Sequence, residues 1–266
     1  MARDELRVWY QSFTDPDADR AYFDRLAAFV NDAASAGTTV DVHGIRPGDH
    51  DLHPITELRG SLTTLRAAIR AQEEGYDAVV IGHFQEPGLG IVRSVCDLPV
   101  IGLGEATMLH ACTLGRKIGL VTINPVFIPY HWDQITAAGL RERVVDVRAV
   151  TAQVADYVRA FEDETARAAM FENFVRQVEP MVDDGVEVII PAGGLPMLLF
   201  GRGTRLTVKG AAVLNGLPVA VAAAETAVRL RRRYGVEPSR SGLLAKPSEK
   251  ALRQLLDTLT PDTGLI

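Results

Sequence analysis

Short apolar runs alternate with longer amphipathic stretches along the whole chain. Residues 6–13, 38–42 and 77–81 predict strands, and residues 18–36 and 62–74 between them predict helices. Strand–helix alternation of this kind is typical of a parallel sheet with helices on both faces. The sequence therefore predicts an α/β fold, in which ligands bind beyond the carboxyl ends of the strands.

The same alternation continues through the second half of the chain. Further strands are predicted at residues 100–103, 118–122, 144–147, 186–190 and 219–222. Further helices are predicted at residues 86–95, 107–115, 129–138, 152–184, 206–214 and 223–234. No low-complexity linker divides the chain into independent domains.

An internal repeat predicts two lobes. Residues 75–83 and 185–193 both run from a glycine through an acidic residue and an apolar strand to a turn of small residues. The tripeptide Leu-Pro-Val follows each copy, at residues 98–100 and 217–219. Any two βαβ units share part of such a pattern, so the duplication is a hypothesis. It would place His83 and Gly193 at equivalent positions, facing each other across a cleft.

Composition and charge limit the partners. The net charge is −6 and the pI is about 5.6, whereas a protein that binds nucleic acid needs a basic face. No apolar run approaches the roughly 18 residues of a membrane span, and no apolar signal core follows Met1. We therefore expect a cytoplasmic protein whose partner is a small molecule, with no nucleic acid and no membrane.

Three motifs resemble one known family. They are residues 86–89 (EPGL), residues 99–106 (PVIGLGEA) and residues 119–122 (GLVT). In this order they resemble the aspartate/glutamate/hydantoin racemase superfamily, and residues 187–197 resemble its second catalytic turn. The resemblance implies two similar Rossmann-like or flavodoxin-like parallel-sheet lobes, related by pseudo-two-fold symmetry, with the active site between them. We assign residues 1–106 and 216–266 to the first lobe and residues 107–215 to the second.

The chain departs from the family at both catalytic cysteines. The resemblance places the first cysteine where His83 stands and the second where Gly193 stands. The family's two thiols act on opposite faces of an acidic carbon, so this chain is not expected to be an ordinary two-thiol racemase. Cys96 and Cys112 match neither position and are expected to be small buried hydrophobic residues.

A single histidine can still perform acid/base chemistry on one face of a substrate. The ordinary pKa of histidine, about 6.5, lies close to neutral pH. His83 is therefore the predicted catalytic residue of a cofactor-independent enzyme that performs hydrolysis, elimination, decarboxylation or isomerisation. Two alternatives stay open: a racemase with a non-cysteine mechanism, and a non-catalytic small-molecule-binding protein derived from a racemase.

The predicted substrate is a small carboxylate, amide or hydantoin-like ring. Gly193 and Gly194 are predicted to let backbone N–H groups approach it, although a tight turn alone would also call for glycine. The resemblance carries over further substrate contacts at the strand ends: Gln11, Ser12, Gln85, Glu105, Thr122 and Asn124. Capping and turn formation would explain the same residue types. The family further implies a homo-oligomer.

A loop with three histidines raises the question of a metal. His43, His50 and His53 follow the second predicted strand. Imidazole nitrogen is a common ligand of zinc and other transition metals. The loop around them is rich in proline, glycine and aspartate and provides no regular frame, so we expect neither a metal nor another cofactor.

Overall fold

Nine strands and ten α-helices build the fold in the computed structural model, which describes residues 5–49, 51, 53–201 and 206–258. The strands are β1 (Leu6–Gln11), β2 (Thr38–His43), β3 (Ala78–Ile81), β4 (Val100–Gly102), β5 (Ile118–Thr122), β6 (Val144–Ala149), β7 (Val188–Ala192), β8 (Thr207–Val208) and β9 (Ala211–Val213). The helices are α1 (Arg20–Asp32), α2 (Pro54–Glu73), α3 (Leu89–Val95), α4 (Leu103–Ala111), α5 (Ile128–Ala137), α6 (Val154–Ala160), α7 (Glu164–Asp183), α8 (Gly194–Phe200), α9 (Gly216–Tyr234) and α10 (Glu249–Thr258). None of the helices within the described ranges is long and apolar enough to pass through a bilayer.

The strands form two sheets with the same core order. The first sheet runs β2-β1-β3-β4 and the second β6-β5-β7-β9-β8. All pairs are parallel except β8 with β9, which form an antiparallel edge. The predicted α/β fold with two parallel-sheet lobes is therefore confirmed. β3 is an inner strand of the first sheet, and β7 is an inner strand of the second. Both strands end at the space between the two sheets.

The apolar faces of the strands divide the core into two clusters. Val8 and Tyr10 point into a large cluster that extends through both lobes, whereas Trp9 points into a smaller one under α2 and α3. This follows from the alternation of side chains along a strand. After the second sheet, α9 returns to the first lobe and packs against β3, β4 and α4. The exact lobe boundaries stay a prediction.

The prediction for the C-terminal third was wrong in two places. Residues 206–214, expected to be helical, contain β8 and β9, which are joined at Lys209 and Gly210, both with positive φ. Residues 219–222, expected to be a strand, lie inside α9. The Asn215 side chain caps this helix by accepting a hydrogen bond from the Leu217 backbone N–H. Pro218 lies in the first turn, where the missing N–H is tolerated.

The same region corrects the predicted repeat. Residues 98–100 lead into β4, whereas residues 217–219 start α9, so the two Leu-Pro-Val tripeptides are not equivalent. The counterpart of β4 in the second lobe is β9, because it lies beside β7 as β4 lies beside β3. The long helix expected over residues 152–184 is also divided into α6 and α7. Asp163 caps α7 by accepting hydrogen bonds from the backbone N–H groups of Thr165 and Ala166.

Candidate active site

A cleft, partly open to solvent, lies between the carboxyl ends of the strands of the two sheets. Its lining residues from the first lobe are Ser12, Phe13, Thr14, Tyr22, Asp49, Asp51, Thr56, Glu57, Gly82, His83, Phe84 and Gln85. Its lining residues from the second lobe are Ile123, Phe127, Val154, Ala192, Gly193, Gly194, Leu195 and Pro196. This position agrees with the general rule that α/β sheets bind ligands beyond the ends of their strands.

His83 follows β3 directly and lies in this cleft. Its Nε2 atom is 3.9 Å from Oε1 of Glu57, and the Phe13 ring packs edge-on against the imidazole with 4.9 Å between ring centroids. Nδ1 is buried and has no hydrogen-bond partner among the described residues. Burial, with a smaller effect from the nearby His131, lowers the pKa of His83 to about 4. The ring is therefore neutral at neutral pH and can accept a proton.

Glu57 lies beside His83 on the same wall of the cleft, in the first turn of α2. The helix starts there because His53 accepts a hydrogen bond from the backbone N–H of Ile55 and because Pro54 occupies its first turn. Burial, with a smaller effect from the negative charge of Asp49, raises the pKa of Glu57 to about 7. The sequence analysis did not single out Glu57, because it predicted this helix only from residue 62, whereas α2 starts at Pro54.

The two walls of the cleft differ in their chemistry. The first-lobe wall carries the carboxyl groups of Asp49, Asp51 and Glu57 together with the imidazole of His83. The second-lobe wall consists of glycines, alanine and apolar side chains, and no titratable side chain belongs to it among the described residues. The described lining also contains no lysine or arginine. Among the described lining residues, acid/base groups are therefore present on the first-lobe side alone.

Several predicted site residues meet in this cleft. His83, Gln85, Gly193 and Gly194 line it together with Ser12, whose hydroxyl is 2.9 Å from that of Thr14. Gly194 approaches the first lobe closely: a Cβ added there would lie 2.9 Å from the Tyr22 hydroxyl oxygen and 3.3 Å from the Gly82 carbonyl oxygen. A side chain at position 194 would therefore narrow the cleft.

The other predicted contacts do not line the cleft. Gln11 accepts a hydrogen bond from Trp9 Nε1, and Glu105 pairs with the Arg93 guanidinium. Thr122 Oγ1 is 2.9 Å from His131 Nε2. Asn124 caps the short 3-10 helix Pro125–Phe127 through the Val126 backbone N–H. These side chains use their polar atoms within the protein and hold the turns around the cleft.

The remaining histidine and cysteine candidates also lie elsewhere. His43 stacks on Trp9 with 3.4 Å between ring centroids, His53 caps α2, and His50 lies outside the described residues. No cluster of three or more metal-binding side chains occurs within the described part of the chain. Cys96 is buried and Cys112 half-buried, and neither lines the cleft.

A buried polar network that the sequence analysis missed joins the lobes behind the cleft. From Thr122 it continues through His131 to Gln134, with His131 Nδ1 3.0 Å from Gln134 Oε1. The Gln134 amide then donates to Glu86, whose other carboxylate oxygen accepts from the Glu105 backbone N–H. Burial raises the pKa of Glu86 to about 7 and lowers that of His131 to about 4. Because the network spans both lobes, it fixes the turn that carries His83.

The buried His131 of this network is expected to lower the stability of the fold in acid. His131 binds a proton less readily in the folded than in the unfolded chain. Its contribution to the free energy of unfolding is therefore complete above about pH 6.5 and is lost as the pH falls towards 4. At pH 4 this loss lowers the free energy of unfolding by roughly 3 kcal/mol. His131→Gln removes the titration and keeps a partner for Thr122. We expect the free energies of unfolding of wild type and variant, measured with urea, to converge by about that amount between pH 7 and pH 4. If the free energies of unfolding of the two proteins changed in parallel with pH, the expected role of His131 would be contradicted.

Comparison with known proteins agrees with this architecture. A family model described as Asp/Glu/Hydantoin racemase matches residues 13–224. A hydantoin racemase from Pseudomonas sp. (strain NS671) is 30% identical over 62% of this chain, and the chain spans only 63% of that relative's length. An allantoin racemase from Klebsiella pneumoniae superposes with a TM-score of 0.78 at 24% identity, covering 97% of this chain and 100% of that one. An allantoin racemase from Pseudomonas fluorescens gives a TM-score of 0.70 at 25% identity, covering 91% and 97%.

Proposed function

Because the chain belongs to the Asp/Glu/hydantoin racemase family, we propose that it is a cofactor-independent enzyme that acts on a small uncharged cyclic amide or ureide. His83 removes the proton of a ring carbon that neighbours a carbonyl group, from one face of the ring, as the first step of an elimination or isomerisation. The observation that carries this proposal is the one-sided cleft, with its titratable groups on the first-lobe wall and none on the described second-lobe wall.

The charge of the cleft favours a neutral substrate. Three carboxyl groups line it without a lysine or arginine among the described lining residues, so a substrate carboxylate would meet negative charge there. Arg59 lies 3.5 Å from Asp49 and offsets part of that charge from outside the lining. A hydantoin-like ring carries no carboxylate, and its amide groups can hydrogen-bond to Ser12 and Gln85. The relatives named as hydantoin and allantoin racemases act on rings of this class.

His83 is in the form that can accept a proton. An imidazole with a pKa of about 4 is already unprotonated at neutral pH. No protein hydrogen bond from the described residues reaches Nδ1, so the imidazole is not held in one tautomer. Racemisation by two protein groups would need a second acid or base on the opposite wall. At the corresponding position that wall has Gly193.

Ring hydrolysis is a second candidate, favoured by one distance. His83 Nε2 and Glu57 Oε1 are 3.9 Å apart, which is beyond a direct hydrogen bond and leaves room for one water molecule to contact both. A neutral histidine could deprotonate that water for attack on a ring carbonyl. The product would then be an open chain carrying a new carboxylate.

Incubation of each enantiomer of 5-methylhydantoin and of allantoin in deuterium oxide tests the proposal. We expect deuterium at the ring carbon with retained configuration, measured by mass spectrometry after chiral separation and corrected for an enzyme-free sample. N-carbamoyl-alanine, the open-chain carboxylate, should not exchange. Interconversion of enantiomers would favour the racemase alternative, and a product heavier by one water would favour hydrolysis. Failure of both rings to exchange would contradict the proposed activity and favour a binding protein.

A further inference from the structure

The carboxyl group of Glu57 has no role in the proposed function so far, yet it lies beside the proposed base. Its side chain is 15% exposed and that of His83 is 19% exposed, and both line the same wall of the cleft. The two residues come from different elements, α2 and the turn after β3, which are both anchored in the first sheet. Their separation is therefore set by the packing of the lobe.

We propose that Glu57 is a second catalytic residue of this site, which donates a proton to a substrate carbonyl oxygen while His83 removes the proton from the adjacent ring carbon. This inference rests on the proposed function. It adds the partner acid, and with it a reason why the substrate must present a carbonyl group next to the carbon that loses its proton.

The distance between the two residues fits two neighbouring substrate atoms. A direct hydrogen bond between Nε2 and Oε1 would bring these atoms to within about 3.2 Å. At 3.9 Å both instead remain free to face a third group. A carbonyl oxygen and the carbon next to the carbonyl are separated by two bonds, so a base above that carbon and an acid beside the oxygen stand a few ångströms apart.

The proton transfers balance without another reactant. The C–H bond breaks and its proton goes to Nε2, while its electron pair becomes the carbon–carbon double bond. The carbonyl π electrons take the proton of Glu57, which gives an enol, an imidazolium and a carboxylate. These two opposite charges lie close together and stabilise each other. Return of both protons restores the ring and the resting enzyme.

The groups around Glu57 support its resting protonation. Asp49, from the loop before α2, places negative charge near it, and the facing imidazole of His83 is neutral. Arg59 points to Asp49, at 3.5 Å. With a pKa of about 7, Glu57 is mostly protonated below neutral pH. A role in which a Glu57 carboxylate merely orients His83 would instead be favoured by a lowered pKa and a direct hydrogen bond.

The test measures deuterium exchange at the ring carbon of 5-methylhydantoin by proton NMR between pH 5 and pH 9. The variants are Glu57→Gln, Glu57→Asp, and Glu73→Gln, an exposed glutamate of the same helix, as the matched control. We expect the wild-type rate to fall as the pH rises through about 7, where Glu57 loses its proton. Glu57→Gln should lower the rate at pH 6 by about 10²-fold or more and abolish this decline. Glu57→Asp should retain the decline, and Glu73→Gln should behave as wild type.

The outcomes separate this inference from the proposed function. Exchange that depends on His83 but is unchanged in rate and pH profile by Glu57→Gln would overturn the role of Glu57 alone. Exchange that is absent in wild type, or independent of His83, would overturn the proposed function and this inference with it. Thermal melts of all variants show whether they are folded, and a folded Glu57→Gln protein with a slow, pH-independent exchange is the supporting result.

Discussion

Replacement of His83 by asparagine is expected to slow proton exchange at the ring carbon of 5-methylhydantoin by about 10²–10⁴-fold, the usual contribution of general acid/base catalysis. Asparagine keeps a polar side chain of similar reach but cannot accept a proton. The imidazole is neutral in the folded protein, so the wild-type rate should also rise as the pH increases through about 4, where burial places the pKa of His83. The rate is measured in deuterium oxide by loss of the ring-proton signal.

His110→Asn is the matched control for this experiment. His110 lies near the end of α4, is exposed, and does not line the cleft. We expect its rate and pH profile to equal those of wild type. If His83→Asn exchanged at the wild-type rate, the base would have to be another group of the first-lobe wall, and Glu57 would be the first to examine.

Gly82→Ala is expected to destabilise the fold strongly. A Cβ at this position would lie inside the van der Waals surface of the Tyr10 ring and 2.8 Å from the Gln11 carbonyl oxygen. Tyr10 is fully buried, and both residues belong to β1, which pairs with β3, so neither can move away cheaply. We expect a loss of about 3 kcal/mol or more in the free energy of unfolding, at the upper end of typical overpacking costs.

Gly90→Ala provides the comparison. Gly90 lies in α3 with no atom within 4 Å of an added Cβ, and its φ is not positive. Alanine at position 90 should leave the free energy of unfolding unchanged or raise it by up to about 1 kcal/mol through helix propensity. Urea denaturation followed by circular dichroism measures both variants. Equal stability of the two would mean that the strand before His83 packs less tightly than the close approach of Tyr10 implies.

Much of the fold follows from local pattern. The apolar strands of the first lobe were predicted within a few residues, because a strand buried on both faces requires a continuous apolar run. Helix α2, however, starts at Pro54, eight residues before the predicted start at residue 62, and residues 152–184 form two helices instead of one. The remaining errors lie after residue 200, where the apolar segments are short. A run such as residues 217–222 suits a buried strand and a buried helix equally well, and the decision depends on the cap at Asn215 and the sheet edge that β9 occupies.

The candidate site could also be predicted only in part. His83 and Gly193 could be named as candidates because each lies within three residues of the end of a predicted strand, where the resemblance places a catalytic position. Glu57 and Asp49 could not, since they belong to a helix start and a polar loop far away in sequence. Their closeness to His83 arises when α2 packs on the first sheet. The contacts of α5 with both lobes produce the network of Thr122, His131 and Glu86, whose members are ordinary polar residues when considered one at a time.

The sequence by itself determined the family and the α/β class, because these depend on periodicity and on the order of short motifs. Only the tertiary structure decided that the acid/base groups share one wall and that the opposite wall has none among its described residues. The physical reason is that burial and proximity set the protonation of these groups. A histidine with a pKa of about 4 beside a glutamic acid with a pKa of about 7 results from packing, which no local stretch of the chain encodes.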